Sequence, residues 1–413
     1  MGNLAKTKAV RNMKILQINC VYAQGSTGKI TRDIHHGLLE RGHESVVFYG
    51  RRKRVKDHNV YKLCPEWYAK INNLRSRLDG MMYTGSYFST QVIISKIRKE
   101  KPDVIHLQCI NGYFCNIFRL LTFLKRHHIP TVLTLHAEFM YTANCGYAGD
   151  CTQWIDGCQK CPRLRQETLS LYFDKTQSSW SRMHEIYKDW EQLTVVACSS
   201  WIQDRAKQCG EIKSRKIITI HNGIDNDRIW FPRAGEKNKI CERYGINPQK
   251  KVVLFAAPYF SALKGFDYVI QLIEECEALP FHFLLVGENS PIKKENVTVL
   301  GNISDQEFLA QIYSAADVFL ICSRCENYPT VCLEATSCGT PVAGFDVGGV
   351  RETIPQGMGG VVPVGDIEAM KALLIELTKQ KPNDQTVEEA RKYHCKDRMI
   401  EAYIRCYASA LER

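Results

Sequence analysis

At 413 residues the chain is too long for one ordinary domain and suits two of about 200 residues each. Its 45% hydrophobic content is enough for two cores, and no apolar run reaches the roughly 18 residues that a membrane span needs. A formal charge of +11 favours anionic partners, and 18 cysteines in so long a chain point to a reducing cytosol rather than a disulfide scaffold.

Residues 1–12 read as an extension. They carry no apolar region that would make a secretory signal, and Lys6 replaces the Ser or Thr of a myristoylation site. Lys14–Cys20 is an apolar strand, followed by a loop holding Gly25 and Gly28. Helical spacing then runs over Ile30–Arg41, Gly42 stops it, and His43–Tyr49 is the next strand. This order opens a Rossmann-like half, although the loop is neither GxGxxG nor a Walker motif. The basic run Arg51–Lys56 is either a solvated loop or a surface drawn to an anionic membrane or a phosphate-bearing lipid. No groove-reading pattern accompanies it, so nucleic acid is not expected.

Residues 61–100 read as mostly helical, Pro102–Leu107 as strand and Asn111–Arg126 as helix. Pro130–Leu135 is a strand that ends in His136. A histidine there is either a core residue bonded to backbone or lies on the binding edge of a parallel sheet. Within residues 140–166 stand Cys145, Cys151, Cys158 and Cys161, the last two as Cys-x-x-Cys. Four thiolates satisfy the ligand count of a structural zinc site, with a disulfide pair or plain reduced thiols as the alternatives. Leu193–Ser200 is a strand, Trp201–Cys209 a helix and Lys216–Ile220 a strand. A sharp bend at His221–Asp225 leads into a polar linker, 226–250.

A second domain, 251–383, opens with the strand Lys251–Ala257 and continues through Phe281–Glu288 and Val297–Leu300. Its most informative stretch is 315–352. Val318–Cys322 is a short buried strand, Ser323–Tyr328 a loop, and Pro329 precedes a helix that Gly339 ends. Such a loop feeds a helix N-terminus at the carboxyl edge of a parallel sheet, where anions bind. Glu326 on the loop and Glu334 on the helix can each accept hydroxyl hydrogen bonds, as a nucleotide sugar would require. As a cap and a solvated helix residue they would be unremarked. Residues 384–413 read as a helical segment.

The series Ser323, Glu326, Pro329, Glu334-Ala335, Gly339-Thr-Pro-Val342, Gly348-Gly349 and Glu352 resembles the signature of family 4 GT-B glycosyltransferases. The likeness runs from Met13 over nearly the whole chain. It implies an α/β fold of two Rossmann-like domains facing across a cleft, an acceptor domain (13–225) and a donor domain (251–383), with the C-terminal helix crossing back. It also implies a retaining, metal-independent hexosyltransferase using a UDP- or GDP-sugar in cell-surface polysaccharide biosynthesis, with a glycan or lipid-linked acceptor. The enzyme would be cytoplasmic, at most peripheral on the inner face of the membrane.

By the same resemblance Gly25 and Gly28 face the donor phosphates or the acceptor, and His136 contacts the transferred sugar. Lys264 and Thr330 hold the diphosphate, Glu334 the ribose, and Glu326, Asn327 and Tyr328 the sugar hydroxyls. The family's Arg five residues before that lysine is Tyr259 here, with Arg324 as a substitute. A related Cys-rich insertion occurs in a subset of polysaccharide enzymes. A GT-B nucleotide-sugar 2-epimerase, a glycogen- or sucrose-type synthase and a zinc-stapled nucleic-acid-binding protein are the competing readings.

Overall fold

The computed structural model describes residues 12–288, 290 and 292–412. All but the last residue of the N-terminal extension therefore lies outside the described residues. The chain divides into two compact units, one running to Ile220 and resuming at Ile400, the other spanning His221–Met399.

The first unit begins β1 (Lys14–Asn19), α1 (Gly25–Glu40), β2 (Glu44–Tyr49), β3 (Val60–Lys62), α2 (Glu66–Asp79) and α3 (Tyr87–Glu100). Then come β4 (Val104–Leu107), α4 (Ile117–Arg126), β5 (Thr131–Leu135) and the short helices α5 (Phe139–Thr142) and α6 (Leu164–Glu167). It ends with α7 (Thr176–Tyr187), β6 (Leu193–Ala197), α8 (Ser200–Ala206) and β7 (Lys216–Thr219). Its strands form one parallel sheet in the order β3-β2-β1-β4-β5-β6-β7. The central strands β4, β5 and β6 are buried throughout, which is why they read as unbroken apolar runs.

The second unit holds α9 (Glu236–Tyr244), β8 (Lys251–Ala256), α10 (Phe266–Glu275), β9 (Phe281–Val286), β10 (Val297–Gly301) and α11 (Gln306–Ala315). It continues with β11 (Val318–Ile321), α12 (Thr330–Ser337), β12 (Val342–Phe345), β13 (Gly359–Val362), α13 (Ile367–Leu377) and α14 (Asp384–His394). The sheet is again parallel, in the order β10-β9-β8-β11-β12-β13. Phe255, Phe283, Leu285, Leu320 and Phe345 fill its core against Val269, Leu272 and Met370 of the covering helices. In each sheet the strand order reverses once, between β1 and β4 and between β8 and β11. Ligands bind at the carboxyl ends of strands at such a point.

Four boundaries differ from the sequence reading. α1 starts at Gly25, not Ile30, so Gly28 lies in its first turn, where a Cβ would sit 3.1 Å from Val21 Cγ2 and 3.2 Å from the Ala23 nitrogen. α4 starts at Ile117 because Asn116 accepts from the Arg119 amide at 2.9 Å and caps it. The stretch 226–250 is no plain linker, since α9 buries Ile240 and Cys241 within it. The C-terminal segment breaks at Cys395, whose extended backbone bridges to Ile224, before α15 (Lys396–Leu411) begins.

From Ile400 on, α15 packs on the first sheet. Tyr403 and Tyr407 are fully buried; their hydroxyls lie 3.0 Å from Thr134 Oγ1 and 2.8 Å from His106 Nδ1. Burial keeps the His106 ring neutral, its pKa lowered to about 3.

Candidate active site

The reversal point of the second sheet gathers side chains from two loops. Lys264 follows β8 at the start of the turn into α10, and Glu326 lies on the loop between β11 and α12. Their Nζ and Oε1 atoms meet at 2.6 Å. Two glycines shape this loop. Gly265, at φ +69°, packs against the Cys322 carbonyl, and Gly348, at φ +57°, against the Glu326 carbonyl. A Cβ at either would overlap the oxygen, and the left-handed backbone itself disfavours other residues.

Beyond the loop, Pro329 has extended backbone and Thr330 opens α12; the Cys332 amide donates back to the Pro329 carbonyl at 3.2 Å, and the positive end of the helix favours an anion. Glu334, four residues on and so on the same helix face, is 7% exposed and accepts from the Tyr313 hydroxyl at 3.3 Å. Asn327 is half-buried. Tyr328 is buried, its ring 4.9 Å from that of His221. His221 is in turn held by the Tyr393 hydroxyl on Nδ1 at 2.8 Å and by Glu352 at 3.5 Å from Nε2. Sequence reading took His221 as part of a bend; the Glu352 in the signature was the one sign of a partner. Arg324 is committed locally, its guanidinium paired in a fork with Asp267 (2.7 and 2.6 Å) and lying 4.1 Å over the Tyr268 ring.

In the first unit, His136 follows β5 and a chain of amides runs from it. His136 Nε2 is 3.2 Å from Gln108 Oε1, Gln108 Nε2 donates to Gln17 Oε1 at 2.6 Å, and Gln17 Nε2 donates to the Thr31 carbonyl at 3.3 Å. A backbone carbonyl can only accept, so the series has one direction and His136 carries its proton on Nε2. Burial lowers its pKa to about 4, so the ring is neutral near pH 7. The two Gln residues were not singled out from sequence; both sit in or just beyond strands that read simply as apolar. Gly25 and Gly28 open α1 beside β1 in the same unit.

Comparison with known proteins shows the family. The profile of Glycosyltransferase Family 4 matches residues 27–228, and that of Glycosyl transferases group 1 matches residues 250–380. The chain belongs to glycosyltransferase family 4.

Over its length this glycosyltransferase is 25% identical to WcaC of Escherichia coli, named for colanic acid biosynthesis glycosyl transfer, with 96% of this chain and 99% of the relative covered. Its fold is that of GT-B enzymes. It is similar to Anabaena Alr3699/HepE in complex with UDP and glucose (TM-score 0.67, 16% identity, 96% of this chain and 100% of that one). It is also similar to the catalytic domain of starch synthase IV from Arabidopsis thaliana bound to ADP and acarbose (TM-score 0.65, 15% identity, 97% and 100%).

In the Cys-rich loop of this family 4 chain, Cys145, Cys151, Cys158 and Cys161 are not paired in disulfides. Among the described residues, the groups of three or more potential ligands whose atoms all lie within 4.8 Å are His35–His36–Asp57 and Asp227–Cys395–Asp397. Burial raises the thiol of Cys158 to about 12 and that of Cys145 further. The loop is also stapled by the fully buried carboxylate of Glu138. It takes hydrogen bonds from the Ala148 amide (2.6 Å), the Tyr141 hydroxyl (2.5 Å) and Arg205 Nε (2.6 Å), tying the loop to α5 and α8. Asp225-Asn226-Asp227 also reads as Asp-x-Asp, but Asp225 is paired with Lys396 at 2.6 Å.

Proposed function

We propose that this glycosyltransferase is a retaining enzyme that moves a hexose-type sugar from a UDP- or GDP-sugar to a glycan or lipid-linked acceptor in cell-surface polysaccharide assembly. The observation that carries the donor assignment is the Lys264–Glu326 pair at the head of α12. Lys264 is the cation of that pair, and a diphosphate would compete with the Glu326 carboxylate for it. When a diphosphate arrives, Lys264 shifts to it, joined by the amides around Thr330. Glu326, released, accepts sugar hydroxyls with Asn327, while Tyr328 supplies an apolar wall. Glu334 accepts the two ribose hydroxyls.

Catalysis in this reading is electrostatic. As the C1–oxygen bond breaks, charge grows on the leaving diphosphate, and Lys264 with the α12 amides stabilises it without a metal ion. The acceptor hydroxyl attacks from the face the leaving group departs, which retains the anomeric configuration. His136, neutral with its proton on Nε2, contacts the transferred sugar, and Gly25 and Gly28 let the α1 backbone approach substrate. The first unit is then the acceptor domain and the second the donor domain. The relative named for colanic acid biosynthesis supports the polysaccharide assignment, and the neighbours bound to UDP or ADP support a nucleoside diphosphate donor.

The test is donor turnover. The purified chain is incubated with UDP- and GDP-hexoses plus a chelator, and released nucleoside diphosphate and the anomer of the liberated or transferred sugar are followed by NMR. Release from one donor with the anomer retained is the expected result. An inverted anomer, or strict dependence on added metal, contradicts the mechanism.

A further inference from the structure

The second unit holds a cavity of about 580 Å³ that the proposed reaction leaves unused. Cys338 and Gly339, at the far end of α12, line it together with Ser314 of α11. Thr330 opens α12 eight residues before Cys338, so about 12 Å of helix separates this cavity from the proposed diphosphate site. The segment with Phe231 and Pro232 forms one part of the lining, and Lys381 with the first turns of α14 forms another. The volume is that of a pocket for a small organic molecule.

The cavity presents positive charge that the fold leaves unspent. Lys381 lines it and makes no hydrogen bond or ion pair among the described residues. Part of its length is in solvent, yet it is enclosed enough that burial lowers its pKa. Asp317 opposes that shift, while Lys237 and Lys251 reinforce it. Asp317 is committed elsewhere, to Lys237 Nζ and to the Val252 amide, both at 2.7 Å. Arg391 also lines the cavity. Its Nη1 donates to Glu388 and its Nη2 to the Asn226 carbonyl, both at 2.9 Å, and Asp227 lies beyond hydrogen-bond distance at 3.8 Å. One N–H of each amino group is left for a ligand. A lysine without a partner and a guanidinium with donors to spare call for an anion, and phosphate has oxygens for both.

The rest of the lining selects what carries the phosphate. Phe231 and Pro232 offer carbon surface. Arg233 holds that wall in place, lying 4.0 Å over the Phe231 ring and donating to the Ile229 carbonyl at 2.9 Å. Asp384 and Glu388 line the cavity one turn apart on the same face of α14, and both are exposed. Carboxylates there repel a bare anion but accept hydrogen bonds from neighbouring hydroxyls. Cations, an apolar wall and two hydroxyl acceptors together fit a phosphorylated sugar better than inorganic phosphate or an apolar ligand.

We propose that this cavity is a second small-molecule site that takes a phosphorylated sugar, with the phosphate on Lys381 and Arg391, the hydroxyls on Asp384 and Glu388, and the carbon skeleton against Phe231 and Pro232. The inference stands on the cavity alone and does not depend on the donor assignment. The experiment is calorimetric titration of the full chain with the 6-phosphates of glucose, mannose and galactose and with glucose 1-phosphate, beside inorganic phosphate and free glucose. The expected result is that at least one hexose phosphate binds, at least about tenfold tighter than inorganic phosphate or free glucose.

Lys381, Asp384 and Glu388 are exposed, so Lys381→Gln and Asp384→Asn/Glu388→Gln variants should keep the wild-type melting temperature. Lys381→Gln removes a charge-assisted contact and should lose at least about tenfold in affinity for the hexose phosphate. The double variant should lose about tenfold for the hexose phosphate and bind inorganic phosphate no more weakly than the wild type does. The proposal is overturned if no hexose phosphate binds the wild type. Equal binding by the folded Lys381→Gln variant also overturns it, by placing the ligand elsewhere. So does inorganic phosphate binding as tightly as the hexose phosphates, or full hexose phosphate affinity in the folded double variant, either of which leaves a bare anion site.

Discussion

At the scale of single residues, the head of α12 turns on one contact, Lys264 Nζ to Glu326 Oε1 at 2.6 Å. Lys264 and Glu326 each stood out by the company they keep in the signature, yet they are 62 positions apart, and their contact depends on how two loops meet at one sheet edge. The glycines that shape the loop were equally hidden, because a Gly-Gly pair reads as a turn whichever backbone it presses on. Gly348→Ala tests that role. Its Cβ would overlap the Glu326 carbonyl at φ +57°, so the variant should lose at least about 1–2 kcal/mol in urea unfolding, and most of its activity with it. His136 makes a second prediction. Its proton uptake should follow a pKa of about 4 rather than the usual 6.5. NMR titration of the imidazole would show it neutral down to about pH 5. Gln108→Leu would leave Nε2 of His136 and Oε1 of Gln17 without their partners, costing about 1–3 kcal/mol.

At the scale of elements, strands were the most legible, since burial on both faces forces unbroken apolar runs such as those of β4, β5 and β11. Helix starts were less so. α4 begins where Asn116 caps it, six residues after the periodic stretch opens at Asn111, and capping is decided by backbone geometry that an apolar pattern does not carry. Asn116→Ala should lower stability by about 1 kcal/mol, read from the urea midpoint at unchanged slope; the carboxamide also donates to the Thr84 carbonyl, so the loss should be at the upper end. In α2 the apolar positions Trp67, Ile71, Leu74 and Leu78 are exposed while Ala69, Asn72 and Ser76 are buried. Periodicity shows that an apolar stripe exists, not which side of the helix the rest of the chain covers. In the Cys-rich loop the buried Glu138, unremarkable in sequence, holds the chain through three hydrogen bonds.

At the scale of the whole molecule, two parallel sheets, each with one reversal of strand order, follow from the alternation of apolar strands with helical stretches. The family signature supplied the link from that architecture to glycosyl transfer. A further consequence concerns pH. His106, His136 and His394 are kept neutral by burial, with pKa values of about 3, 4 and 3 against 6.5 for the free side chain. As pH falls below 6.5 the unfolded chain binds these protons and the native chain does not. Each histidine then costs stability at about 1.4 kcal/mol per pH unit until its native pKa is reached. Melting temperature should drop steeply from pH 7 to pH 5, and replacing His106 with Gln should flatten that slope.

The central claim is that the head of α12, with Glu334 and Lys264, binds a nucleoside diphosphate. Calorimetric titration of UDP and GDP into the chelator-treated protein and its Glu334→Ala variant tests it most directly. Glu334 is buried against Tyr313, so a thermal melt must first show the variant folded. The account predicts that one of the two nucleotides binds the wild type and that the variant loses at least about 1.4 kcal/mol, a tenfold loss of affinity. Binding of neither nucleotide to the wild type, or equal binding by the folded variant, would contradict it.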